Sequence, residues 1–422
     1  MKKFTVAILG VGSRGAETFG RIMSEKPEEF EIVSLCDIKE DRLLKYREIF
    51  HVSQENLFVD ETSFFQKKRA DVLVIATQDN DHVRHCIKAL ELGYDILLEK
   101  PITKHETECY QLLETQKKYG GKVVVCHGLR YAPAFLKIKE LLEEKICGDL
   151  ILIDSIEQVS YWHQAHSFVR GNWRNSEQTS PMILQKCCHD LDLLQYYVGA
   201  KCETLSSIGG LNYFKKENRP QGAADRCVNC QYHSSCSYSA ENIYIKRWHK
   251  GGEPENMWPF NVITETLPLT ENALRKAIEE GPYGKCVYLC DNDVVDNQIV
   301  TMTFENGVRA NLRMTAFTKH GGRLMKFHCT DGEIEFSEKR IIVRRFNVNT
   351  EKIVIDCEEL NEGGYGHAGG DSGLVNEFYK ILCGNGTMRS GLENSIESHL
   401  MAIRAEESRS QGGVLLSVHP FA

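Results

Sequence analysis

Three glycines, Gly10, Gly12 and Gly15, follow the apolar run 5–9 and head a helical pattern over 17–24. Such a turn suits a dinucleotide. One glycine makes the tight bend, a second lets the backbone approach a pyrophosphate, and a third lets helix and strand pack closely. The helix N-terminus adds unpaired N–H groups and partial positive charge. The pattern is weak alone and gains weight from its strand–turn–helix setting. Ser13 and Arg14 complete the turn, and Arg14 is either a pyrophosphate contact or a solvent-facing charge. Asp37 ends the second apolar run, 22 residues after Gly15. A carboxylate there accepts hydrogen bonds from ribose hydroxyls and repels a 2′-phosphate, so NAD is expected rather than NADP. The other reading of Asp37 is a cap on the next helix. Ala76 and Thr77 end the third run, at the carboxyl edge where ligands bind in parallel sheets, and are expected to border the nicotinamide half.

These residues need a scaffold, and the first third of the chain spells one. Strand-like runs at 5–9, 31–37, 71–77, 94–98 and 122–126 alternate with helical patterns at 17–24, 41–50, 82–92 and 105–119. Strict alternation predicts parallel βαβ units in a doubly wound Rossmann sheet. The pattern then changes. A helix at 134–144, a strand at 150–161 and a helix over 182–198 precede two alternating runs around Asn306-Gly307, which reads as a type I′ hairpin. Short strands follow to 355, then helices near 373–383 and 393–407. The expected architecture is α/β: an NAD-binding Rossmann domain over 1–127, and over 128–422 an α/β substrate domain with a large open, mostly antiparallel sheet. The polar stretch 212–282 reads as an insertion or lid.

The chain has 422 residues, a formal net charge of −8 and only short basic pairs, which argues against nucleic acid as a partner. The opening apolar run is too short and too glycine-broken for a secretory signal, and no later run spans a membrane. A cytoplasmic protein is expected. Its 16 cysteines are then mostly reduced and buried. Cys227, Cys230 and Cys236 form one dense group whose spacing could hold a structural zinc, with His233, Cys202, Cys286 or Cys290 as the fourth ligand; reduced thiols in a loop are the alternative.

The segment Glu99-Lys100-Pro101, the glycine turn, His82 on the helix after Thr77, and His189-Asp190-Leu191-Asp192 together resemble the Gfo/Idh/MocA oxidoreductases. The resemblance spans essentially the whole chain. It implies that Lys100 is the catalytic-site lysine, that Glu99 and Pro101 shape the cofactor turn, with a cis bond before Pro101, and that His189 is the catalytic histidine. It also implies NAD(P)-dependent redox chemistry on sugars, cyclitols or related polyols, and a homodimer or homotetramer formed through an exposed sheet face.

One departure stands out. The family commonly carries a carboxylate four residues before the histidine, where this chain has Gln185. On one helix Gln185 and His189 would share a face, and glutamine cannot take a proton. Asp192, at i+3 from His189, either substitutes for the missing carboxylate or only orients the ring. Lys186 is a substrate candidate, or pairs with Asp190 at i+4. For alcohol oxidation His189 reads as the base and Lys100 as the group that positions the oxygen, with the reverse assignment open. Candidates for gripping a polyol are Arg130 and Tyr131, then Trp162, His163 and His166, then Arg170 and Trp173. Asp293, Asp296, His367 and Asp371 rank behind them. Two alternatives to a dehydrogenase remain: an NAD-dependent glycoside-cleaving enzyme that oxidises its sugar transiently, and a non-catalytic dinucleotide sensor.

Overall fold

The computed structural model describes residues 2–251, 258–264, 266, 268–347, 349, 352–360 and 366–420. The first sheet has six strands: β1 (Phe4–Leu9), β2 (Phe30–Cys36), β3 (Leu57–Phe58), β4 (Val72–Ile75), β5 (Asp95–Leu98) and β6 (Val123–Val125). All pair in parallel, in the order β3-β2-β1-β4-β5-β6. The strands are mostly apolar because helices cover both faces. The order reverses between β1 and β4, the switch point where doubly wound sheets bind ligands, and the glycine turn leaves β1 there.

The second sheet is open and mixed. It holds β7 (Leu150–Gln158), β8 (Cys202–Gly210), β9 (Asn297–Phe304), β10 (Arg309–Thr315), β11 (Gly322–Cys329), β12 (Gly332–Ser337), β13 (Arg340–Arg345), β14 (Ile353–Asp356) and β15 (Leu416–Ser417). Every neighbouring pair is antiparallel except β7 with β10. The β9–β10 hairpin lies at Asn306-Gly307, but only Gly307 takes a positive φ, +82°, and its N–H returns to the Phe304 carbonyl. A type I′ turn needs positive φ at both central residues, so the turn is of another type.

One face of this sheet carries the helices Cys188–Val198 and Leu392–Ser410 and packs into one continuous core with Rossmann residues such as Leu73 and Ile96. Cross-strand register aligns Ile208, Ile299, Arg313, Ile156 and Leu324 on the other face. Of these, Ile208, Ile299 and Leu324 are exposed. No helix among the described residues is long and apolar enough to cross a membrane.

The C-terminal part returns to the Rossmann sheet. Leu374, Val375 and Phe378 of the helix Gly370–Cys383 share a core with Phe4, Val6 and Phe30, and Val124 of β6 bridges to Gly391. The stretch 212–282 builds a third core around Phe214, Tyr244 and Leu274 against Ala165 and Val169. It also reaches the helix after the glycine turn, where the Asn261 amide donates to Glu17 at 3.2 Å.

Candidate active site

Gly10 has φ +91°, and a Cβ there would lie 2.3 Å from the Ala76 carbonyl oxygen. A Cβ on Gly15 would lie 2.0 Å from the Gly10 oxygen. Those two glycines are required by the fold itself. Gly12 is different: a Cβ there would meet only the Arg42 guanidinium, at 3.5 Å, so its open side is where a phosphate could approach. The helical segment Ser13–Gly20 begins next, and the N–H groups of its first turn have no partner within the helix.

Asp37 is buried. Its carboxylate accepts from the Val11 N–H at 2.7 Å and the Lys39 N–H at 2.9 Å. It therefore braces the glycine turn. It also reaches the start of the helix Glu40–Phe50, since Lys39 is that helix's N-cap residue. Arg14 turns away from the turn's open side. Its Nε donates to Glu99 at 2.6 Å, and Nη1 and Nη2 donate to Asp371 at 2.9 and 3.0 Å. All three nitrogens are engaged, which replaces the pyrophosphate reading of Arg14. His82 is likewise occupied. Its ring sits between the Pro101 carbonyl at 2.7 Å and the Thr77 carbonyl at 3.2 Å, fastening the ends of β4 and β5 together rather than facing a ligand.

The Lys100–Pro101 peptide bond is cis. Glu99 accepts from the Lys100 N–H at 2.9 Å, and the Lys100 ammonium donates to the Gln185 carbonyl at 3.0 Å. That contact depends on a break in the helix expected over 182–198. One helix covers Met182–Gln185 and the next Cys188–Val198, with Lys186 and Cys187 between them. The Gln185 carbonyl thus receives the lysine, and the simple i, i+4 geometry between Gln185 and His189 does not hold.

His189 is buried, and its Nδ1 has no hydrogen-bond partner among the described residues. Burial holds its pKa well below the usual histidine range, and Lys100, His367, His127 and Arg323 push the same way. These influences favour the neutral ring, and no carboxylate among the described residues is bonded to it. Asp192 does not fill that place. Its two oxygens take a buried bidentate pair from Arg130, at 2.7 and 2.8 Å, and the histidine it approaches is His127, at 3.5 Å.

Residues 4–127 match the Gfo/Idh/MocA description "Oxidoreductase family, NAD-binding Rossmann fold", and residues 139–416 match "Oxidoreductase family, C-terminal alpha/beta domain". The chain belongs to the Gfo/Idh/MocA oxidoreductases. Among relatives, YteT of Bacillus subtilis (strain 168) is 24% identical over 89% of this chain and 88% of its own length. The 2,7-anhydro-N-acetylneuraminate hydratase of Mediterraneibacter gnavus is 27% identical over 50% of this chain, a match spanning 53% of the hydratase. Among solved structures, a levoglucosan dehydrogenase in complex with NADH and L-sorbose superposes with a TM-score of 0.71 at 16% identity, over 99% of both chains.

Within this Gfo/Idh/MocA fold the expected substrate residues divide. Burial lowers the pKa of His163 well below the usual range, and Lys186, His166 and Lys100 add to the effect. Trp162 stacks on His163 with ring centroids 5.7 Å apart, and Arg247 covers the Trp162 face at 3.8 Å. Lys186 pairs with Glu157 at 3.1 Å, not with Asp190, which is held by Arg323 at 2.7 Å. Sequence reasoning missed both Glu157 and Arg323, because only the β7–β11 register brings them to this helix.

Arg130, Tyr131 and Arg170 leave the candidate set. The Arg130 guanidinium is spent on Asp192, Gln195 and the Arg389 carbonyl, and the Tyr131 hydroxyl on Ser390. Arg170 is buried and donates to the Lys285 and Tyr238 carbonyls and to the Cys227 sulfur. Trp173 packs against Phe168, with its indole N–H buried and without a partner among the described residues. Asp293 and Asp296 brace loops through Ser176 and through the Asn212 and Tyr213 N–H groups.

Cys227, Cys230, Cys236 and Cys286 line one cavity with His233 and Arg170, whereas Cys202 lies in β8. Among the described residues, no group of three or more His, Cys, Asp or Glu is placed to hold a metal ion, so the zinc expectation is not supported.

Proposed function

We propose that this oxidoreductase moves a hydride between a nicotinamide and a hydroxyl-bearing carbon of a sugar, cyclitol or related polyol. The supporting observation is Lys100, on the cis-proline turn after β5 and hydrogen-bonded to the Gln185 carbonyl four residues before His189, at the carboxyl edge of a sheet whose glycine turn leaves Gly12 open to a phosphate. Bound NAD would supply the hydride acceptor. Gly12 and the first turn after it would hold the pyrophosphate, Asp37 the adenosine ribose, and Ala76 and Thr77 the nicotinamide side. Lys100 donates to the substrate oxygen from a site fixed by Gln185 and Glu99. His189, neutral and without a carboxylate partner, takes the hydroxyl proton. Trp162, stacked on His163 and covered by Arg247, fixes the His163 ring, and Lys186 and His163 bind the sugar hydroxyls.

The steady-state test follows NADH and product release together, with NAD and a panel of cyclitols, aldoses, uronates and aryl glycosides. NADH growth with a free polyol supports the dehydrogenase. Product release without net NADH favours a transient oxidation cycle, a second reading motivated by the resemblance to a hydratase of an anhydrosugar. Silence in both, with NAD bound, contradicts both readings.

Two further outcomes follow. Asp37→Ala removes the acceptor that serves the Val11 and Lys39 N–H groups. NAD affinity is expected to fall about tenfold or more, read by NADH fluorescence titration; unchanged affinity would remove Asp37 from the cofactor site. The exposed row Ile208, Ile299 and Leu324 is proposed to pack against a second copy in a homodimer or homotetramer. Light scattering should show an oligomer that Ile299→Glu dissociates, and a monomeric parent chain would contradict this.

A further inference from the structure

His189 is 4% exposed and its Nδ1 is buried without a partner among the described residues, so a proton on that nitrogen has no direct path to water. Burial and the neighbouring Lys100 make an imidazolium at that position costly, so the proton must leave for turnover to continue. The ring of His367 lies beside it, with centroids 5.2 Å apart and planes tilted by 51°. That centroid separation leaves room for a proton to pass between the rings through one water.

His367 is built for this part. Its side chain is 32% exposed, in contrast to His189. Its Nδ1 lies 3.0 Å from Asp371 Oδ2, which leaves Nε2 without a hydrogen-bond partner among the described residues. Asp371 is fully buried. Burial alone would raise its pKa, but Arg14 and His367 outweigh burial and hold the carboxyl far below its usual range. A carboxylate hydrogen-bonded to one ring nitrogen sets the orientation of an imidazole and leaves the other nitrogen free for exchange. The backbone is also strained around this ring. Gly366, His367, Ala368 and Gly369 all take positive φ, at 62°, 39°, 54° and 84°. Left-handed backbone is uncommon for residues other than glycine, and such strain concentrates at functional sites. A Cβ on Gly366 would sit 2.1 Å from Asp371 Oδ2, so the glycine is what lets the loop close on the carboxylate.

We propose that His367, oriented by Asp371, is the proton exit of the active site, relaying to solvent the proton that His189 takes from the substrate hydroxyl. The inference rests on the polyol oxidation proposed above. In that reaction the C–H bond gives its electron pair and hydrogen as hydride to NAD+, and the O–H proton passes to His189. It then moves to His367 and finally to a buffer base, which regenerates both neutral rings. In the reducing direction the path runs backwards. Arg14 ties this exit to the cofactor turn, since Asp371, which holds His367, also receives the Arg14 guanidinium.

The test uses the full-length chain with NAD and a polyol that the parent enzyme oxidises. His367→Asn is compatible with the left-handed backbone at that position. Turnover in dilute buffer should drop at least tenfold and recover as imidazole buffer is raised, because a small base replaces the missing relay. NADH affinity and the thermal unfolding midpoint should stay at parental values. His189→Asn should also lose turnover, but without recovery in imidazole. An active parent enzyme whose His367→Asn variant is equally fast in dilute buffer overturns the relay alone. So does a loss that imidazole does not relieve, or one accompanied by weaker NADH binding. A parent chain that binds NADH and oxidises no polyol overturns the underlying reaction and the relay together.

Discussion

Replacing Lys100 with methionine keeps most of the side-chain volume and removes the ammonium, and turnover is expected to fall about a thousandfold. The group lost donates to the Gln185 carbonyl at 3.0 Å, and its positive charge lowers the pKa of His189. In the proposed reaction it also holds the substrate oxygen as negative charge develops there, so its loss should lower kcat far more than it raises KM. Steady-state kinetics and an NADH titration check both parts: kcat should collapse while NADH affinity stays within a few-fold. Normal turnover in Lys100→Met would remove this lysine from the chemistry and with it the proposed geometry.

The second large effect concerns stability. Asp192 and Arg130 form a bidentate pair with both side chains buried. Asp192→Ala would leave a buried guanidinium without its counterion, a change that costs about 3–5 kcal/mol. Thermal unfolding should show a strongly lowered midpoint, with the residual folded protein still turning over. Replacing both partners with apolar residues, Asp192→Leu with Arg130→Met, should recover much of the loss, because no charge is then left unpaired. A stable Asp192→Ala protein that has lost turnover would instead make this carboxylate the partner of His189.

The contrast between these two residues shows what one sequence can and cannot reveal. Lys100 sits in a local pattern, at a strand end before a proline, and local patterns are legible. The glycine turn was legible for the same reason, since Gly10 and Gly15 answer to contacts within their own βαβ unit. The doubly wound sheet followed from alternation alone, apart from β3, whose two residues are too few to give a periodic signal. Asp192 looked catalytic because it stands three residues from His189. Its true partner, Arg130, is 62 residues away in the chain. The break at Lys186-Cys187 carries no glycine or proline to announce it. Arg14 reads in sequence as a cofactor contact or a solvent-facing charge, and neither reading finds its partner Asp371, 357 residues downstream. The i, i+4 spacing of His367 and Asp371 was visible, but nothing local showed that their loop lies over His189.

The same long-range contacts explain why the two sheets share one site. The segment 370–391 crosses back onto the Rossmann core, and it carries Asp371 to Arg14 at the cofactor turn. The Arg14 pairs with Glu99 and Asp371 thereby hold the glycine turn, the lysine turn at β5 and the 370–391 segment in one frame.

The most direct test of the account is hydride transfer in a single turnover. Enzyme loaded with NAD is mixed with each polyol of the panel, and enzyme-bound NADH is read by its fluorescence, for the parent chain and for Lys100→Met at matched NAD occupancy. The account predicts that bound NADH forms in the parent chain with at least one sugar or cyclitol, whether or not it is later released, and that Lys100→Met forms it about a thousandfold more slowly. No bound NADH with any polyol, or equal rates in the two proteins, would contradict it.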